Sequence, residues 1–108
     1  MITGNYTLVA DSNWASVQFQ DVFLELDSTT APVNLTLPAI ADLNRFWNVR
    51  LHIYWTAGAN ACTIRVGAAG DRINGNTSYN SLAAIGDNLI LGVGDETNWL
   101  IESVYIGS

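Results

Sequence analysis

Apolar and polar residues alternate along most of this chain. Within residues 17–27, Val22, Leu24 and Leu26 share one side while Phe23 and Glu25 take the other. That two-residue period predicts a strand with one face in a core. Val33, Leu35 and Leu37 repeat the pattern against Asn34 and Thr36, and Pro38 ends the strand's hydrogen bonding. The cleanest alternation sets Val49, Leu51, Ile53 and Trp55 against Arg50, His52, Tyr54 and Thr56. The link Ala57-Gly-Ala-Asn60 leads to Cys62, Ile64 and Val66, opposed by Thr63 and Arg65, and the two runs together predict a β-hairpin. A small strand is expected at Arg72-Ile73. A closing hairpin is expected from residues 88–91 and 97–106 across Gly92-Val-Gly-Asp-Glu96. Helix competes only at residues 39–47, where Ile40, Leu43 and Trp47 stand at helical spacing. So short a stretch supports a turn or loop with partial helix.

Strands at such intervals, separated by Gly, Asp and Asn, predict an all-β fold: an antiparallel β-sandwich or a jelly-roll-like module. At 108 residues the chain reads as a single domain, 1–108, with residues 1–12 as an N-terminal arm or an edge strand. No internal repeat or low-complexity run stands out.

Composition narrows the function. Apolar residues make up 49% and charged residues 13% of the chain, against about 25% charged in an ordinary domain. So few charges suit a surface that is partly covered in the working state. The net charge of −6, with four arginines and no lysine, has the wrong sign for phosphate backbones or anionic membranes, so neither nucleic acid nor membrane is an expected partner. The N-terminus lacks a basic start and apolar run, and no stretch has the length of a membrane span, which points to a protein made and assembled in a cytoplasm.

Catalytic chemistry finds little footing. Cys62 is the only cysteine and reads as a small buried hydrophobe, so neither a disulfide nor a multi-cysteine zinc site is available. His52 is the only histidine, and its expected seat is the polar face of its strand. No Gly-x-Ser-x-Gly elbow accompanies it. Asp71, Asp87 and Asp95 each follow a glycine, which is turn chemistry before it is a glycosidase pair. A calcium site from Asp71, Asn74 and Asp87 would lack EF-hand spacing. The expectation is a protein that is no enzyme and has no cofactor or metal.

Four tryptophans and four tyrosines are the better candidates, since both side chains suit surfaces with one apolar and one polar partner. Trp55 and Trp99 are expected in the core. Trp14, in the polar run Asp11-Ser-Asn-Trp-Ala-Ser16, and Trp47 are expected as interface anchors, with Tyr6 beside them. Arg50, Arg65 and Glu102 fall on outward strand faces, where they would pair within one subunit or across a symmetry axis.

Leu37-Pro38-Ala39, then Asp71-Arg-Ile-Asn-Gly75, then Asn98-Trp99-Leu100-Ile101 form an ordered series. It resembles the small all-β modules of tailed-bacteriophage virion proteins, both head-decoration and tail-fibre modules, over residues 30–102. The chain departs from that pattern at Gly94-Asp-Glu-Thr-Asn98 and at Asn44-Arg-Phe-Trp47. The resemblance implies a homotrimer located in the virion and bound to the major capsid protein or another virion protein. A free-standing module of this length looks like a capsid decoration (cement) protein. The alternative that the resemblance carries is a fibre or spike module binding a host cell-surface glycan, with an exposed aromatic cleft.

Overall fold

Among the described residues the alternating segments become ten strands: β1 (Ile2–Leu8), β2 (Ser12–Asn13), β3 (Phe19–Ser28), β4 (Val33–Thr36), β5 (Arg50–Gly58), β6 (Cys62–Arg65), β7 (Arg72–Ile73), β8 (Ser78–Tyr79), β9 (Asn88–Val93) and β10 (Asn98–Tyr105). A computed structural model provides these coordinates, and it describes residues 2–14, 19–43, 49–79, 82, 85–93 and 97–105. One 3₁₀ turn, Ile40–Asp42, falls in the stretch where partial helix is expected. Trp47 lies outside the described residues.

Two sheets enclose one core. The larger runs β1-β3-β5-β9-β10-β7 and the smaller β2-β4-β6-β8. Val22, Leu24 and Leu26 of β3 and Leu51, Ile53 and Trp55 of β5 meet Val33, Leu35, Cys62 and Ile64 of the smaller sheet in a single cluster. Each such side chain, once buried, contributes about 1.5–3 kcal/mol. Trp55 and Trp99 both lie in this core, Trp99 fully buried. The thiol of Cys62 is buried too, and burial raises its pKa.

The expectation of antiparallel pairing fails for the first half of the chain. β5 and β6 do not form a hairpin: β5 pairs in parallel with β3 and antiparallel with β9, while β6 pairs in parallel with β4 and antiparallel with β8. The chain winds instead. It runs along the large sheet, turns a corner, runs along the small sheet, and repeats, so that β1–β2, β3–β4 and β5–β6 are three stacked rungs. Backbone bonds tie rung to rung at the small sheet, from Trp14 N–H to Thr36 O at 2.9 Å, Val33 N–H to Ala61 O at 3.0 Å and Leu37 N–H to Arg65 O at 2.8 Å. At the corner, Asn60 Nδ2 donates to Ser28 O at 2.7 Å. Gly58 sits there with φ +93°, so close to the rung before it that a Cβ would collide with the backbone of Ser28 and Thr29.

The final hairpin forms as expected, with β9 antiparallel to β10. The turn at Asn74-Gly75 closes it from outside. Both residues have positive φ (46° and 87°), which Asn and Gly tolerate best. Asn74 N–H donates to Trp99 O at 3.0 Å, and its side-chain Oδ1 accepts from Ile101 N–H at 3.1 Å. Asp71, 6% exposed, accepts from Ile40 N–H at 3.0 Å and so anchors the start of the 3₁₀ turn. The Asp71–Gly75 turn and the Trp99 strand are therefore bonded directly, and Asp71 bonds Ile40, the residue after the Leu37-Pro38-Ala39 end.

Candidate functional site

Because β3 and β5 send Val22, Leu24, Leu26, Leu51, Ile53 and Trp55 inward, they must send Asp21, Phe23, Glu25, Arg50, His52 and Tyr54 outward. In this register Phe23 stands beside His52 and His52 beside Ile90. The Phe23 and His52 rings stack with centroids 4.2 Å apart and planes 14° off parallel, and Tyr54 lies 6.2 Å from Phe23 at 12°. A separation so near the strand spacing means the rings stand upright and face one another along the sheet. Phe23 and His52 thus each cover one face of the other.

His52 Nε2 bonds Asp21 Oδ1 at 2.8 Å. Among the described residues no hydroxyl or thiol hydrogen-bonds to this histidine. Nor do the described residues hold a group of three or more His, Cys, Asp or Glu able to bind a metal ion.

The outward residues also divide by charge. β3 carries Asp21, Glu25 and Asp27. Across the sheet, β9 and β10 present Ile90, Leu100 (49% exposed) and Tyr105 (59% exposed), and Val104 is 47% exposed near the sheet margin. The one charge on β10, Glu102, is held by Arg50: Nε lies 3.0 Å from Oε2 and Nη2 donates to Oε1 at 3.1 Å. Beyond Trp99 no described strand pairs with β10 on the side away from β9. Among the described residues the β9–β10 flank thus exposes Leu100 and Tyr105 beside Ser103, with its one charge paired to Arg50.

Gly92 makes room for the Arg50–Glu102 pair, since a Cβ there would meet the Glu102 carboxylate. Gly92→Ala is expected to displace this flexible side chain, break the pair and leave the fold standing. The loss in stability from the pair itself should be small, because it is part-exposed and screened by water. Urea unfolding checks this; a loss above about 2 kcal/mol would mean that the backbone, not the carboxylate, had moved.

The small sheet has its own polar cluster. Asp11 Oδ1 accepts from Asn34 N–H at 3.1 Å and from Asn34 Nδ2 at 2.8 Å, and Arg65 Nη2 donates to Asn34 Oδ1 at 3.2 Å. The Asn34 bonds, side chain before backbone, and then the Arg65 charge hold the Asp11 carboxyl below its ordinary 3.8. Thr29 does the same for Asp27. Both groups have folded pKa values below their unfolded ones. Their contribution is therefore present above pH 3.8, where the unfolded carboxyls are ionised, and is lost as pH falls through the lower folded values. Carboxyl-carbon NMR titration should give midpoints below 3.8 for both; midpoints at or above 3.8 would contradict the bonds.

The residues singled out from sequence scatter. Arg50 and Glu102 come together within one chain, on the large sheet. Arg65 stands on the other sheet, bonded to Asn34. Trp14 is only 9% exposed and joins the chain's own core, with Tyr6 packed edge-on at 5.8 Å. This corrects its reading as a surface anchor: the side chain belongs to the buried core cluster, and Trp14 N–H bonds to Thr36 O at the β4 end. Tyr6 keeps 39% exposure. Sequence reasoning passed over Phe23, Ile90 and Leu100 on the large sheet and Asp11 and Asn34 on the small one. The outward phase of each strand could have flagged them, but their adjacency depends on strand order. Comparison of this chain with protein-family models, with curated proteins and with solved structures finds no match.

Proposed function

We propose that this chain is a non-enzymatic structural protein of a virion, a capsid decoration protein that binds the capsid lattice at subunit junctions and stabilises it. The observation that carries this reading is the β9–β10 flank, whose exposed Leu100 and Tyr105 lie on the face that holds a charge already paired within the chain. Such a surface binds by buried area and excluded water, which suits permanent attachment to protein better than turnover of a substrate. The sandwich-like two-sheet body and a homotrimeric assembly belong to the same proposal, as does its location in particles assembled in the host cytoplasm.

Quantitative mass spectrometry of purified particles tests this reading directly. A ratio to the major capsid protein near one, or a fixed simple fraction of it, is the expected result. A few copies per particle would shift the assignment to a fibre or spike. Absence from the particle would end both.

A further inference from the structure

Asn74-Gly75 is the chain's only Asn-Gly step, and it forms the tip of the tight turn that follows β7. Ile73 and Asn76 exchange backbone bonds across it, Ile73 N–H to Asn76 O at 2.6 Å and Asn76 N–H to Ile73 O at 2.9 Å. Asn74 and Gly75 are both exposed to solvent, and a Cβ on Gly75 would meet nothing within 4 Å.

This turn is arranged for attack by its own backbone on its own side chain. A bond from the Gly75 nitrogen to Asn74 Cγ closes a succinimide ring. Closure swings that nitrogen round to the Cβ side of Asn74, the backbone arrangement of the first central residue in a type II′ turn. Positive φ at both residues (46° and 87°) marks the present turn as type I′. A flip of the one peptide plane between them interconverts the two forms and leaves φ of Asn74 positive. Gly75, without a Cβ and in open space, accepts the negative φ that the flip gives it. The side chain is prepared as well, because Ile101 N–H donates to Asn74 Oδ1 at 3.1 Å. That oxygen takes up negative charge when Cγ is attacked, and a fixed backbone donor stabilises such an oxyanion.

We propose that Asn74 is a self-modification site, which the folded protein converts through a succinimide to aspartate and isoaspartate. Solvent hydroxide takes the Gly75 amide proton, and the nitrogen lone pair bonds to Cγ as the carbonyl pair moves onto Oδ1. When that pair returns, the Cγ–Nδ2 bond breaks, and Nδ2 takes a proton from water and leaves as ammonia. Water then opens the ring. Cleavage at Cγ leaves aspartate, and cleavage at the main-chain carbonyl leaves isoaspartate. Isoaspartate routes the main chain through Cβ and Cγ, which lengthens the tip and adds a carboxylate. The longer tip no longer fits the Ile73–Asn76 pairing or holds Oδ1 against Ile101 N–H. β7 then loosens from Asn98 and Trp99, and the open edge of β10 lengthens. This stands on the turn after β7 alone and does not rest on the decoration reading.

Peptide mapping of the intact, folded protein, aged in mildly alkaline buffer, tests it. Asn60 and Asn76, exposed like Asn74 but followed by Ala61 and Thr77, serve as internal references. Asn74 is expected to show amide-to-acid conversion at least tenfold faster than either, with isoaspartate the larger product. Protein held unfolded in urea should convert Asn74 no faster than the folded protein does. The separated isoaspartate form should unfold at a lower urea concentration than unaged protein. Conversion less than tenfold above the references, or faster in urea than in the folded state, would overturn the proposal. An unshifted urea midpoint would overturn its effect on the β10 edge. Particle copy number bears on none of these outcomes, so the two proposals fail separately.

Discussion

Replacing Trp99 with alanine is expected to lower the unfolding free energy by about 3–5 kcal/mol, the usual range for removing a large aromatic from a core. The side chain is fully buried. Its strand is clamped on both sides, with Trp99 opposite Val93 of β9 and opposite Ile73 of β7. Its carbonyl also accepts the Asn74 N–H. Neighbours so constrained have little freedom to collapse into the void, which places the cost toward the upper part of the range. Domains of this size are stable by about 5–15 kcal/mol, so the variant should melt at least about 12 °C lower. Thermal unfolding followed by far-ultraviolet circular dichroism measures this; a shift under about 5 °C would mean that Trp99 is not a central core residue.

Gly58→Ala is expected to cost about 3 kcal/mol, and Gly86→Ala only about 1–2 kcal/mol. Both glycines hold left-handed backbone, with φ +93° and +98°, and that conformation costs an L-residue roughly 1–2 kcal/mol. They differ in their surroundings. A Cβ on Gly86 meets nothing within 4 Å, whereas one on Gly58 strikes the Ser28 and Thr29 backbone. Backbone cannot rotate aside as a side chain can, so the rungs must separate, with an overpacking cost of about 1–3 kcal/mol added to the first. Paired urea titrations of the two variants isolate this second component. Equal losses would show that the corner of β5 does not lie against the corner of β3.

The same glycine shows how far the sequence could be read. The period-two phase of Val22–Leu26 and Leu51–Trp55 is visible in the residues themselves, because burial demands it. So too is the turn chemistry of Asn74-Gly75. What alternation does not encode is the partner of each strand. Ala57–Asn60 has the length and glycine content of a hairpin loop, yet the chain uses it to turn between sheets. The winding was also hidden from any search for a repeat. Asp21 faces Arg50 and Val33 faces Cys62 at an equal step along the chain, but Gly4 faces Val22 and Ser12 faces Leu35 at unequal ones. For the same reason Arg50 and Glu102 were recognisable as outward charges and not as partners. Trp14 was misread because its polar neighbours in sequence are not its neighbours in space.

Strand order also sets a clock. β5, near the middle of the large sheet, has one partner made before it and another, β9, made well after it. A chain emerging from the ribosome can stack its first rungs early, but the second edge of β5 stays open until residues 88–93 are free. Trp99 cannot close the core until later still. Pairings so distant in sequence make for folding on the millisecond-to-second scale rather than in microseconds. During that interval Leu51, Ile53 and the edge of β5 are exposed to any other unfinished chain. A polypeptide cut before Asn88 would thus be an aggregating fragment and not a smaller domain, and the fold is committed only when its last strand arrives.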